Sequence, residues 1–223
     1  MTAVIGQVLP LALGIAISPV PIIAAILMLL SPKARRTGLG FLVGWVGGIV
    51  VVLTAFTLLA SVVTPADPND SRPVVGLIQL LLGALLVAMA VKQWRGRPGP
   101  GDEPALPTWM TAIDQMTAGK AVGLGFLLAA VNPKNLLMGI GAGVTIGSAG
   151  LGPGAVVVVE TVFTVIAASS VAVPVIGYLA ATDAMSSPLE SLRVWLVHNN
   201  ATIMAALLLV IGVVLIGKGI GSF

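Results

Sequence analysis

The chain has 223 residues, 57% of them hydrophobic and only 9% charged, with a net charge of +3 and no cysteine. Soluble domains carry roughly 25% charged residues, so this composition excludes an ordinary globular domain and describes an integral membrane protein. The absence of cysteine excludes disulfides, thiolate metal sites and cysteine nucleophiles, and the lysines and arginines lie between apolar runs rather than on an aromatic-interleaved face, so no nucleic-acid partner is expected.

Six apolar runs follow one another, at residues 4–30, 38–63, 73–91, 121–146, 151–181 and 201–217. A membrane span needs about 20 residues, so the third and sixth runs are near the short end, and the others have length to tilt or to contain a break. The first run is too long for a signal peptide and has no basic flank before it, so it is expected to remain as a span. Run one carries "SPVP" at its middle, and run four carries "NPK" at its middle. Proline inside a helix removes a backbone donor and clashes with the preceding turn. The third loop, "RGRPGPGDEPALP" and its flanks, is the long Pro/Gly-rich linker, and "TWMTAIDQM" after it is a candidate surface helix. "SSPLESLRVWLVHNN" is a second one, with Ser187 as N-cap, Pro188 as first helical residue and Leu189, Leu192, Trp195 and Leu196 as its apolar face.

Loop charge predicts orientation. The first loop carries Lys33, Arg35 and Arg36, the third Lys92, Arg95, Arg97 and Lys120, and the fifth Arg193 and His198. The second has Arg72 beside two aspartates, and the fourth has no charge. Positive loops stay cytoplasmic, so the odd loops are assigned inside and both termini outside. Lys218 near the C-terminus weighs slightly against this, but it can snorkel.

The halves of the chain correspond. Asn132-Pro133 lies 114 residues after Ser18-Pro19, each midway in its run. Three spans per half is an odd number, so the second half enters the membrane from the opposite side. Interrupted spans in corresponding positions are the mark of an inverted repeat with a midplane binding site. The expected organisation is therefore residues 1–93 as one three-helix repeat, 94–119 as a cytoplasmic linker and 120–223 as the second repeat. Ser18 and Asn132 are good N-cap residues, and Pro19 and Pro133 suit the first helical position. Each break then starts a half-helix with a partly positive end, with Pro21 close behind Pro19. Unwound backbone is expected at residues 18–21 and 131–134, lining a polar cavity. The plainer alternative is a pair of ordinary proline kinks.

Two ionisable residues fall well inside a span, Lys134 and Glu160. A charge at the bilayer centre costs about 2.5–3.5 kcal/mol on insertion scales. Lys134, flanked by Asn132 and Asn135, is a candidate contact for an anionic substrate, and Glu160 a candidate proton carrier. The alternative is a structural ion pair between the two, which would be poor evidence for net stability. Gln79, Thr54, Thr57, Thr161 and Thr164 read equally well as interhelical hydrogen bonds. The lone His198 supports neither a metal site nor a triad, the chain has no phosphate-binding loop for ATP, and no nucleophile–base pair supports an enzyme. No cofactor or metal is expected.

The stretches "ISPVPIIAAILMLLSPKARRTGLGFLVGW", "NPKNLLMGIGAG", "ASSVAVPVIGYLA" and "LRVWLVHNNATIMAALLLVIGVVLIGKGI" resemble the GAP family, also called the peptidoglycolipid- or sulfolipid-addressing protein family, of the LysE exporter superfamily. The resemblance covers nearly all of the chain except the third loop. It implies a six-span exporter of the plasma membrane, with Pro19, Pro21, Asn132, Pro133 and Lys134 as motif positions. For the GAP-type members it implies movement of glycolipids to the cell surface in actinobacteria, and for LysE relatives export of amino acids or other small solutes.

The sequence is thus read as an all-α membrane protein of six spans in two inverted repeats, with broken first and fourth spans. Its expected function is secondary transport of an amphipathic or anionic solute, with membrane lipids around it and a lipid or small molecule as cargo. Ser18, Pro19, Pro21, Asn132, Pro133, Lys134 and Asn135 are the expected substrate contacts. A LysE-type small-solute exporter and a non-transporting scaffold of a lipid-export machine are the alternatives. The oligomeric state, a homo-oligomer included, stays open.

Overall fold

Pro19 and Pro133 set the architecture, because each divides an apolar run into two helices. In the computed structural model, which describes residues 1–63, 73–97, 99, 113 and 116–222, the order is α1 (Thr2–Ala16), α2 (Pro19–Leu29), α3 (Ala34–Val63), α4 (Pro73–Arg95), α5 (Ala118–Ala130), α6 (Pro133–Gly147), α7 (Pro153–Ala180) and α8 (Thr182–Ile220). No strand occurs among the described residues. Four helices, α3, α4, α7 and α8, are long and apolar enough to cross a membrane. The pairs α1–α2 and α5–α6 pass the same test together but are bent by 50° and 63°, giving up to six spans if each pair is one.

The surface is that of a protein solvated by lipid. Val43, Leu58, Val165 and Val210 are between 61% and 64% exposed on the outward faces of α3, α7 and α8. A soluble protein does not display apolar surface on this scale, whereas hydrocarbon accepts it at no cost. Inside, one apolar cluster joins all eight helices, with Trp45 stacked on Phe41 at its centre.

Small residues bring the helices together. Gly40, Gly44 and Gly48 form one stripe of α3 against α5, where an added Cβ would meet the backbone of Ala118, Val122 and Phe126. Gly125 of α5 faces back onto Phe41 and Trp45. Beyond the break, Gly143 and Gly147 of α6 meet Leu53, Thr57 and Ser61. Residue numbers rise together along this seam, so α3 runs parallel to α5 and α6. Along α4 and α8 they run oppositely, with Gly83 against Gly212 and Gly76 against Gly219. In hydrocarbon, close backbone approach of this kind replaces the hydrophobic effect as the source of helix association.

Two expectations are corrected. Ser187 caps nothing and Pro188 does not begin a helix; both lie inside α8, which runs unbroken from Thr182. The Thr182 hydroxyl donates to Tyr178 O and the Met185 amide to Ala181 O, so the helix starts directly at the α7 turn. Leu189 and Leu196 are buried in the core, while Leu192 and Trp195 face outward. At 39 residues, α8 is about 58 Å long, roughly twice the hydrocarbon thickness. Near its start, ahead of the apolar run, Arg193 donates two hydrogen bonds to Glu190. Lys218 does not merely reach for the surface: its ammonium donates to the carbonyl of Gln7 on α1. The surface-helix reading of "TWMTAIDQM" lies, apart from Ile113 and Met116, outside the described residues, as does most of the linker.

Candidate functional site at the two helix breaks

The breaks are shorter than expected. Only Ile17 and Ser18 in the first, and Val131 and Asn132 in the second, leave the helix; Pro21 and Lys134 are already helical. Prolines occupy the first position of both α2 and α6, where the missing N–H is no loss. Their caps differ. Asn132 Oδ1 accepts from the Lys134 amide at 3.1 Å. Ser18 stands at the N-cap position with extended backbone, but its hydroxyl makes no cap bond. Ser18, Pro19 and Pro21 are buried, whereas Asn132 is half-buried and Pro133 exposed.

Each break strands carbonyls of the preceding helix, and one of them, at Gly14 in α1 and at Leu128 in α5, holds the same position in both. In α1, the Ser18 amide turns back to Ile15 O at 3.2 Å instead of bonding Gly14 O. In α5, the Asn132 amide bonds Leu127 O at 3.2 Å instead of Leu128 O. Gly14 and Leu128 each lie four residues before their N-cap. Backbone acceptors cannot be left unpaired in a bilayer. Two consecutive side chains of α6 satisfy them: the Lys134 ammonium donates to Gly14 O at 2.6 Å, and Asn135 Nδ2 donates to Leu128 O at 2.9 Å. Lys134 thereby ties the second break to the first. It also places its charge at the C-terminal end of α1, where the helix dipole is negative.

Lys134 and Asn135 are each 1% exposed, as is Ser18, so the junction is closed. Among the described residues Lys134 has no carboxylate partner, since the ion pair found there is Arg193–Glu190. A lysine has three donors, and one is used here. The Ser18 hydroxyl and Asn135 Oδ1, both buried, have no hydrogen-bond partner among the described residues. The two breaks thus hold a buried ammonium with donors to spare, a buried hydroxyl and a buried amide oxygen.

Glu160 stands apart from this junction. Its Oε2 accepts from the Thr54 hydroxyl of α3 at 3.0 Å, and its Oε1 has no partner among the described residues. It lines a cavity of about 200 Å³ with Val50, Leu53, Val157, Thr161, Thr164 and Val165. The structure therefore does not join Lys134 and Glu160 in an ion pair. Of the other polar residues, Thr54 bridges helices as expected; Thr161 bonds Val157 O of its own helix; the Thr57 hydroxyl and Gln79 Oε1 are buried without a partner among the described residues. Reasoning from sequence named Thr54 as an interhelical hydrogen-bonding residue but not as the partner of Glu160, and it did not find Gly14 as the partner of Lys134. No local signal marks either one, because the contacts span 120 and 106 residues.

No curated protein and no solved structure matches the chain. A family model does, over residues 8–221, which takes in both breaks, Lys134 and Glu160: the chain belongs to the Sap, sulfolipid-1-addressing protein family.

Proposed function

We propose that the protein is a secondary exporter of the plasma membrane that carries an anionic amphipathic molecule, a sulfated or phosphorylated glycolipid, towards the cell surface. One observation carries the reading: Lys134 is buried at the meeting of two broken spans and its ammonium is bonded, among the described residues, only to a backbone carbonyl. Desolvating a charge is costly, and a fold seeking only stability does better with a hydrophobic residue. An anionic cargo group is the counter-charge this lysine lacks. The family's sulfolipid name agrees with that polarity.

The inverted repeat is part of the proposal. It is supported by the equivalent breaks, by the stranded carbonyls at Gly14 and Leu128, and by α1 running opposite to α6, with Gly14 near Met138 and Leu11 near Gly141. Because the junction is closed, transport needs the half-helices to swing at residues 17–18 and 131–132. Glu160, with one carboxylate oxygen that has no partner among the described residues, lies beside a cavity and is assigned the proton-exchange role. The odd loops are placed in the cytoplasm and the termini outside.

The test is lipid extraction from the surface of intact cells lacking the gene, complemented with each variant. The wild-type chain should restore an anionic glycolipid to the surface. Glu160→Gln should fold normally, since the new amide oxygen still accepts from Thr54, yet export should no longer respond to external pH. Full pH-responsive export by this variant would remove Glu160 from the mechanism. Restored export of a small solute, with surface lipids unchanged, would favour the LysE-type reading. No change in any exported compound would favour the scaffold.

A further inference from the structure

Two tight turns lie side by side at the end of the bundle that carries the basic first loop. One joins α2 to α3 through Ser31, Pro32 and Lys33; the other joins α7 to α8 at Ala181. Gly38 leaves room for the Leu29 side chain, which a Cβ there would meet at 2.8 Å. Between the turns is a cavity of about 660 Å³, lined by Ser31, Lys33, Arg35, Arg36, Tyr178 and Thr182. That volume is within the roughly 300–1,000 Å³ of small-molecule sites. Three of these residues are cations, and no acid is among the described lining residues.

Loop cations on the cytoplasmic side are common, and a solvated loop would need no cavity. This loop is fixed. Ser31 Oγ donates to Met28 O at 2.8 Å, and the buried Thr37 hydroxyl bonds Lys33 O at 3.0 Å with Met28 O at 3.4 Å. Both side chains thus brace the end of α2 against the start of α3. The only tyrosine of the chain, Tyr178, stands on the opposite wall. Arginine presents a planar fork of donors that suits phosphate and sulfate oxygens. Basic pockets between membrane helices on this face suit lipid headgroups.

We infer that this cavity binds a phosphate- or sulfate-bearing group, presented by a lipid headgroup or as a free anion. α2 connects it directly to the break at Ser18, about 16 Å away along 11 helical residues. The site rests on its own lining and not on the exporter reading, and it is tested by binding rather than by export.

The experiment uses the purified full chain in nanodiscs of phosphatidylcholine with phosphatidylglycerol as probe, reading retained lipid by native mass spectrometry. Wild type should retain phosphatidylglycerol over phosphatidylcholine. Arg35→Gln/Arg36→Gln should lower retention roughly tenfold or more, from the loss of about two surface charges. Lys92→Gln/Arg95→Gln, which removes two charges from the end of α4, should stay within about twofold, because its charges lie outside the cavity. Tyr178→Phe leaves all charges in place and should still weaken retention, which guards against a topology change in the arginine variant. Displacement of the lipid by millimolar inorganic phosphate or sulfate would identify the free anion as sufficient; resistance would identify the lipid as the ligand. Equal loss in the Lys92/Arg95 variant, no effect of Tyr178→Phe, or equal retention of phosphatidylcholine would each overturn the site.

Discussion

Gly44→Leu is expected to prevent the protein from folding to a single monodisperse species, or to lower its melting temperature in detergent sharply. A Cβ at residue 44 would fall on the carbonyl of Val122 and within 3.0 Å of the Phe126 amide nitrogen. These are backbone atoms of α5, with no rotamer available to yield. Overpacking a tight core costs about 1–3 kcal/mol, occasionally more, and here a whole side chain must enter the seam that holds α3 parallel to α5. At roughly 2–4 °C per kcal/mol for a chain of this size, a drop on the order of 6–12 °C is the mild outcome. Gly47→Leu is the control. It lies between Gly44 and Gly48 but is turned off the seam, nothing stands within 4 Å of its Cβ, and a leucine there enters open space. Equal damage from both substitutions would show that helix propensity or expression, rather than close approach, governs this helix.

Lys134→Met is expected to separate stability from function. The substitution leaves Gly14 O without its donor, a loss of about 1–3 kcal/mol for a buried acceptor. It also removes a buried charge that has no carboxylate partner among the described residues, which offsets the loss. The melting temperature should therefore move by only a few degrees in either direction. Export should fall by at least about tenfold, the equivalent of one charge-assisted hydrogen bond to the cargo. Matching losses of stability and export would make the lysine a backbone cap and nothing more. The double variant with Glu160→Gln should show additive stability changes, since the two residues share no partner among the described residues. Mutual rescue would mean they pair in a state other than this one.

The sequence announces the breaks with unusual clarity. Ser-Pro and Asn-Pro inside apolar runs combine a cap residue with a proline suited to the first helical turn, and the structure breaks the helices there. It announces them less well in extent, because Pro21 and Lys134 are compatible with a helix once it has begun. The two stranded carbonyls have no sequence signal. They arise from a shift of the Ser18 amide one residue forward, to Ile15 O, and of the Asn132 amide one residue back, to Leu127 O, a local choice of hydrogen bond that composition does not encode. Their capping by Lys134 and Asn135 is tertiary. For the same reason a Lys134–Glu160 pairing is natural from sequence: both are lone charges of consecutive spans. In the fold, Lys134 faces α1 and Glu160 faces α3. The small residues of "GWVGG" signal close packing, but not that its partner is the parallel α5. Pro188 misleads in the other direction: a proline preceded by serines resembles a helix start, yet Thr182 has already begun the helix at the α7 turn.

The junction of the two breaks is where the anionic part of the cargo should sit, and an experimental structure of the protein purified with its native lipids tests this most directly. Compact density is predicted within hydrogen-bond distance of Lys134 Nζ, shared with Ser18 Oγ and lost in Lys134→Met. Continuous α1–α2 and α5–α6 helices, or cargo density bound elsewhere while Lys134 stays sealed against Gly14, would contradict it.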